Sequence, residues 1–546
     1  MISPDSIVGI YDFELFPYAL GDVLTWNIQT AIDCDDLGRE KVDICICLDE
    51  RNPVSIFQRD MINRDNFSLF FSELYSAFST HPRLGNIHIF HRREDMVAYL
   101  NEVVAGDPVN SQIVVEYMEV LNHFKLGKIK NIANSIFLNL RKNPVLHRVY
   151  KMICPTKIKK TIFSKCQGYD AKEITDYFAK YIQSHESINE YASRKGCIPF
   201  LRPGLGCAPD IDELISTRLK RKKIVSFHLR LRQLDAGYGG EYSYERDSDF
   251  LEWYDFLTEA GKRYPDVMFV SLGRLPEKPL ELLRLPNVLN LRVFGMGLGH
   301  ELTMMLKSDL FLGTSSGFAA CANFSRIPYF ITKMSSMSCQ AYCIPDRAER
   351  LPFATKDQVL IYERETLELL MGLLEKGLKL ASPKKNPSRD NGPAVPSEVD
   401  VKGWAREHFS FVNSTATTCR FFVTEKYRDE ETAFLLFPYI ERIKAAVLED
   451  RTSEARGILD RFEKLFPVLC SQFPQYLLLK ALTAVRDRDS ALAGDCLKAL
   501  DSCGGDHDAA HLTGLLKSCL ADSSGDAHWP ELASVLKHSA FFTSPK

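Results

Sequence analysis

Apolar residues in the first part of the chain fall into short runs separated by turn-rich or helix-periodic stretches. Ile7-Val8-Gly9-Ile10-Tyr11 is the first run, and it leads through Phe16-Pro17-Tyr18 and Gly21-Asp22 to a helix-like segment from Val23 to Ile32. Val42 to Leu48 is apolar but for Asp43, as a strand buried on both faces would be. Ile87-His88-Ile89-Phe90 is a third strand candidate. Strands alternating with helices predict a parallel sheet with helices on both faces. Residues 111–193 read as mostly helical, basic around Lys157 to Lys160, and the pattern gives them no place in that sheet.

The rhythm is more regular from Lys222 to Lys333. Strands are expected at Ile224–His228, Val267–Leu272, Val288–Phe294, Asp309–Gly313 and Ile327–Ile331, with helices at Ser248–Tyr264, His300–Lys307 and after Thr314-Ser315-Ser316-Gly317. A doubly wound lobe is the natural solution for such a β-α-β series. Residues 382–400 carry four prolines and few apolar residues, as a linker does. Beyond it nearly everything is helix-periodic. A helix from Thr452 towards Phe466-Pro467 has a counterpart at Ser490 to Leu500. That spacing resembles tetratricopeptide repeats, and a plain helical bundle fits it equally well. The expected organisation is an α/β lobe over 1–219 with a helical insertion, a second α/β lobe over 220–381, the linker, and a helical domain over 401–546.

A chain of 546 residues exceeds what one core supports, which agrees with several domains. Its net charge of -3 gives no footprint for a polyphosphate backbone, so nucleic acid is not expected as a partner. The fifteen cysteines are scattered, form no CxxC pair, and lie partly in apolar runs such as Cys45 and Cys47. Buried thiols in a reducing compartment fit this better than a disulfide framework. No apolar stretch is long enough to span a membrane, and Met1-Ile2-Ser3-Pro4-Asp5 lacks the basic start of a signal peptide. The expectation is a cytoplasmic protein.

Three places carry candidate chemistry. At Thr314-Ser315-Ser316-Gly317 a short buried strand turns into a helix. The free N–H groups and positive dipole end of a helix start attract anions, and Gly317 permits close approach. The plainer reading is a hydroxyl cap. In His228-Leu229-Arg230-Leu231-Arg232, alternation sets His228, Arg230 and Arg232 on one face at the carboxyl edge of a strand. Two guanidiniums and an imidazole suit a pyrophosphate, and ion pairs to the acidic loop that follows are the plainer reading. Asp22 stands where the first strand's connection enters a helix; it is a candidate general base or a helix cap. Glu301, after the glycine-rich Gly295-Met296-Gly297-Leu298-Gly299, is a candidate donor contact at a flexible loop. Asp33-Cys34-Asp35 and Asp247-Ser248-Asp249 have carboxylate spacing known from metal sites, but capping explains them and no metal is expected. Leu351 to Gln358 suggests no mechanism.

Together these features resemble the GT-B glycosyltransferases. His228-Leu229-Arg230 is similar to the strand end of fucosyltransferases whose arginine holds the donor diphosphate. Asp309 to Gly317 resembles the strand-turn-helix that receives phosphates in many such enzymes. Leu20-Gly21-Asp22 resembles the first-lobe loop of heptosyltransferases, whose aspartate is the base. Gln233 stands where fucosyltransferases usually have an acidic residue soon after the arginines. The resemblance implies a metal-independent, inverting transfer from a nucleotide sugar, used as substrate with no cofactor, to a protein or glycan hydroxyl. Two other readings stay open. One is a nucleotide-sugar epimerase; the other is a scaffold whose helical tail binds a protein partner or a second copy.

Overall fold

A computed structural model describes residues 5–49, 62, 66–122, 180–181, 185–219, 222–231, 246–274, 279–380, 436–503, 507–521 and 528–538. The linker at 382–400, Arg232 and most of the 111–193 region lie outside the described residues. The chain divides into two compact units. The first is 1–204 with 340–345 and 351–353, and the second is 205–339, 346–350 and 354–546.

In the first unit, strands β1 (Ser6–Asp12), β2 (Lys41–Cys47) and β3 (Leu84–Phe90) form a parallel sheet in that spatial order. All seven residues of β1 are buried, as its apolar run predicts. Gly9 is required there: a Cβ would sit 2.9 Å from the Trp26 ring and from Val42 Cγ1. Trp26 lies on the helix Leu20–Asp36, which packs with Tyr11, Phe16 and Phe78 in an aromatic core. Asp43, the polar residue inside the β2 run, accepts hydrogen bonds from the Asn86 backbone (2.6 Å) and side-chain amide (3.1 Å), where the register of β2 and β3 shifts. The outer edge of β1 is covered by Asn110, whose amide bonds Val8 N–H and Ser6 C=O at 2.8 and 3.0 Å. A side chain thus supplies the hydrogen bonds that a neighbouring strand would otherwise make.

In the second unit, six parallel strands follow: β4 (Lys223–His228), β5 (Val267–Ser271), β6 (Val288–Leu289), β7 (Leu310–Thr314), β8 (Tyr329–Thr332) and β9 (Gln358–Leu360). Their spatial order is β6-β5-β4-β7-β8-β9, the doubly wound arrangement whose order reverses between β4 and β7. One expectation changes, and one stretch without a role gains one. The strand expected over Val288–Phe294 stops at Leu289, because Asn290 turns the chain into a 3-10 helix by accepting from Arg292 N at 2.9 Å. The stretch ending at Gln358 is structural. Its side chain donates to Ser325 O and Ile327 O and accepts from Thr355 N, all within 2.9 Å, which fixes β9 to the sheet.

The unit boundary precedes the expected residue 219. The helix Ala208–Thr217 buries Ile211, Leu214 and Ile215 and packs on the helix Leu298–Leu306 of the second unit, with Asp210 paired to His300 and Asp212 to Lys307. The C-terminal region is helical, as expected, and lies in the same compact unit as the second sheet. The helices at Phe437–Leu448, Thr452–Leu465, Pro474–Arg486, Ser490–Cys503, His507–Ala521 and Trp529–His538 pack on one another. Their buried residues continue the core of the β4–β7 sheet without a break, through Phe250, Trp253, Leu370, Tyr439, Ile443 and Phe462. No described helix is long and apolar enough to cross a membrane.

Candidate functional site

The order reversal sets the ends of β4 and β7 side by side, with His228 paired to Gly313 in register. A Cβ on Gly313 would meet the His228 carbonyl oxygen at 2.8 Å, so glycine permits this approach. His228, Arg230 and the Thr314–Gly317 turn are therefore brought to one carboxyl edge, where open α/β sheets bind ligands. The alternation holds in part. Leu229 and Leu231 are buried and Arg230 is half-buried, but His228 is buried too, with its ring 4.9 Å from that of Phe318.

Arg230 is braced on both sides. Its backbone N–H donates to Ser248 Oγ (3.1 Å) and its carbonyl accepts from Ser248 N (2.8 Å). Its guanidinium pairs with the buried Asp247 at 2.5 Å. Two further cations stand here that the sequence pattern did not single out. Arg246 Nη1 is 3.5 Å from the Ser315 carbonyl, and Lys333 Nζ donates to the Asp247 carbonyl. Lys333 follows β8 with a left-handed φ of 52°, uncommon for a side chain of its size. Beneath it lies Glu365, fully buried, which accepts from Thr332 Oγ1 (2.7 Å) and Asp249 N (2.8 Å). Burial raises its pKa against the pull of Lys333. Lys333 was discoverable by the rule that drew attention to Arg230, since each follows a strand at its carboxyl end.

In the turn itself, Ser316 is the helix cap and accepts from Ala319 N at 3.3 Å. The helix Gly317–Asn323 has seven residues, so its dipole contributes little by itself, and one of its first amides is already taken. Ser315 is buried. Thr314 Oγ1 is fully buried and has no hydrogen-bond partner, which costs about 1–3 kcal/mol. The positive charge of this edge thus comes from Arg230, Arg246 and Lys333 more than from the helix end.

Glu301 has a different task from the one expected. It is fully buried, and its two oxygens are held by Gly273 N (2.9 Å) and the Arg292 guanidinium (2.9 Å), which locks the helix Leu298–Leu306 to the end of β5. The glycine-rich loop is built from caps: Gly295 has φ 80° after the 3-10 turn and Gly297 caps the helix that follows. Both carboxylate pairs serve as ion-pair partners. Asp247 holds Arg230, Asp249 holds Arg364 at 2.8 Å, Asp33 holds Lys180 at 3.2 Å and Asp35 holds Arg83.

Asp22 belongs to the first unit. It stands in the first turn of the helix Leu20–Asp36, whose N-cap is Ala19, so Asp22 is not the cap. It is half-buried, and burial pushes its carboxyl up to about 6, with its own backbone N–H pulling the other way. The same unit holds an ion cluster that the sequence pattern gave no hint of. Arg93 pairs with Asp12 (2.8 Å), Glu14 (2.8 Å) and Asp49 (2.7 Å), and Tyr117 donates to Asp12 at 2.7 Å. An open hollow of about 560 Å³ in this unit, along Glu186, Glu190 and Cys343, contains none of the expected site residues.

No family model matches the chain, and no curated protein matches it in sequence. Among solved structures it is similar to one assigned as a UDP-N-acetylglucosamine 2-epimerase from Listeria monocytogenes. The identity is 10%, the TM-score is 0.25, and the match covers 71% of this chain and 90% of that one. A likeness at this level says nothing about what this chain binds.

Proposed function

We propose that the chain is an enzyme of nucleotide-sugar chemistry, a glycosyltransferase, and that the second unit holds the donor's diphosphate at the β4–β7 edge. The observation that carries this reading is the convergence of Arg230, Arg246 and Lys333 on the point where the strand order reverses. Guanidiniums bind phosphate oxygens through paired, charge-assisted hydrogen bonds. Thr314 Oγ1, buried without a partner, is a hydroxyl that a phosphate oxygen would satisfy. In the transfer an acceptor oxygen bonds to the anomeric carbon as the bond to the phosphate oxygen breaks. The cations stabilise the charge growing on the leaving diphosphate. The acceptor's proton requires a carboxylate that ionises near neutral pH, and Asp22 of the first unit has that property. His228, Ser315, Ser316 and Gly317 shape the edge. Arg232 belongs to the same reading, outside the described residues.

Thermal unfolding with UDP, GDP, CMP and dTDP tests the proposal. A ligand at one hundred times its Kd stabilises the folded state by about 2.7 kcal/mol. The expected result is a rise in Tm with one nucleotide that Arg230→Ala abolishes. No rise with any of the four at millimolar concentration would remove the donor site and the transferase reading with it.

A further inference from the structure

We infer that the C-terminal helices position the donor-site arginine, with Tyr439 as the positioning residue through which they act; the consequence for ligand binding rests on the function proposed above. Tyr439 is buried in the helix Phe437–Leu448, and its hydroxyl accepts from Leu251 N at 2.9 Å. Leu251 is in the first turn of the helix Phe250–Arg263, whose N-cap, Asp249, makes no side-chain cap bond. Asp249 is engaged elsewhere, its carboxylate with Arg364 and its N–H with Glu365. A phenol from the tail therefore satisfies an amide of the helix start that the helix's own residues leave open.

The segment so anchored is the one that braces Arg230. Asp247 and Ser248 precede this helix directly, and between them they hold the Arg230 guanidinium, its N–H and its carbonyl. A second tie lies one turn along, where Arg461 pairs with Glu252 (3.0 Å) and Asp255 (2.6 Å), while the other Glu252 oxygen accepts from Leu367 N (3.0 Å). Phe250 packs against Phe466 with ring centroids 6.0 Å apart. The chain of contact from the tail to Arg230 runs through hydrogen bonds and one continuous core. Its geometric content is specific: loss of the Tyr439 hydroxyl loosens residues 247–251 and, through them, 229–231.

Amide hydrogen exchange on the full-length protein reads this without any ligand. Tyr439→Phe keeps the ring and removes the hydroxyl. Losing one hydrogen bond worth about 0.5–1.5 kcal/mol speeds local opening roughly two- to tenfold. The expected result is faster exchange in that range at 247–251 and 229–231, with β5 and β8 unchanged. Tyr476→Phe is the comparison. It removes a tail hydroxyl that donates to Leu459 O at 3.1 Å and touches nothing near Arg230, so it leaves 229–231 unchanged. Calorimetry with UDP and with pyrophosphate supplies the functional readout: Tyr439→Phe weakens the one that binds two- to tenfold, and Tyr476→Phe does not. Exchange at 229–231 that is the same in Tyr439→Phe and wild type overturns the inference, whether or not a ligand binds. Unchanged affinity in Tyr439→Phe for a ligand that wild type does bind overturns it as well. Absence of binding by wild type counts against the proposed function alone, because the exchange result still decides the coupling.

Discussion

The carboxyl edges of the two sheets are both charged, in opposite ways. At the first, one guanidinium is buried among three carboxylates, and every side chain in the Arg93–Asp12–Glu14–Asp49 cluster is at most 9% exposed. At the second, Arg230, Arg246 and Lys333 stand above the buried carboxylates of Asp247 and Glu365, and the Arg230 side chain keeps 21% of its surface. An edge with its charges buried serves cohesion. An edge with basic groups that solvent reaches can serve recognition. On the function proposed above, the same position in two parallel sheets would do different work, decided by which charged groups stay accessible. Position at a strand's carboxyl end is therefore a prior for function, and exposure of the charge is the evidence.

Removing the cation of the first edge is the severest test. Burial works against the charge on Arg93, but the pull of Asp12 and the groups around it outweighs burial, so the guanidinium stays protonated and its pKa is raised. Arg93→Ala would leave Asp12, Glu14 and Asp49 facing one another without it. Breaking a buried pair in this way costs about 3–5 kcal/mol. A fall of that size in urea-unfolding stability of the first unit is expected. Arg93→Lys recovers little, since an ammonium cannot serve three carboxylates as the planar fork does. A fall below 1 kcal/mol would mean that the buried cluster does not hold the first edge together.

At the second edge the matching change should reduce binding more than stability. Arg246 is half-buried and its contact with the Ser315 carbonyl is long, at 3.5 Å, so little stability is expected to be lost in Arg246→Ala. A lost charge-assisted hydrogen bond to a phosphate is worth about 1.5–3 kcal/mol, a roughly ten- to hundredfold rise in Kd. Titration of the best nucleotide by calorimetry measures it. A loss of stability with unchanged affinity would make the second edge resemble the first, and the contrast would fail. Gly313→Ala sharpens the same contrast. A methyl pressed against the His228 carbonyl forces β4 and β7 apart, at about 1–3 kcal/mol, and weakens nucleotide binding along with the fold.

Much of this contrast was legible in the second unit and little in the first. The apolar runs at Ile224, Val267 and Asp309 are buried parallel strands, and a strand buried on both faces leaves a hydrophobic run in the sequence. Arg230 and Thr314–Gly317 came from the same rule, because they follow those runs directly. Lys333 is within reach of that rule, since it follows β8 directly, but Arg246 is not, because it needs a tertiary contact to give it meaning. Arg93 is the clearer case. Nothing local marks it, since its three partners lie 81, 79 and 44 residues away, at the ends of other elements. Glu301 is the opposite case: a carboxylate beside a glycine-rich loop looks accessible in the sequence, and only the fold reveals that Gly273 and Arg292 hold it. The linker's composition and the helical periodicity beyond it mark a helical C-terminal region, but composition carries no information about the core that its helices share with β4 and β7.

The smallest expected effect concerns Asp22, and it separates burial from chemistry. Its carboxyl titrates at about 6 in the folded chain, above the ordinary 3.8, because burial disfavours the charge. The folded state therefore binds more protons than the unfolded one between about pH 4 and 6. Stability is highest below that window and declines as pH rises through it. Asp22→Asn removes this penalty. The variant should match wild type at pH 4 and exceed it at pH 7.5 by about 1–2 kcal/mol, part of the shift being screened by solvent. If Asp22 is also the general base, wild-type transfer rises with pH through about 6, and Asp22→Asn loses both the rate and that limb. A variant that gains stability at pH 7.5 yet keeps the limb would leave Asp22 a buried structural acid and assign the base elsewhere. A variant with no pH-dependent gain would show that the carboxyl is not desolvated at all, and the case for its chemistry would go with it.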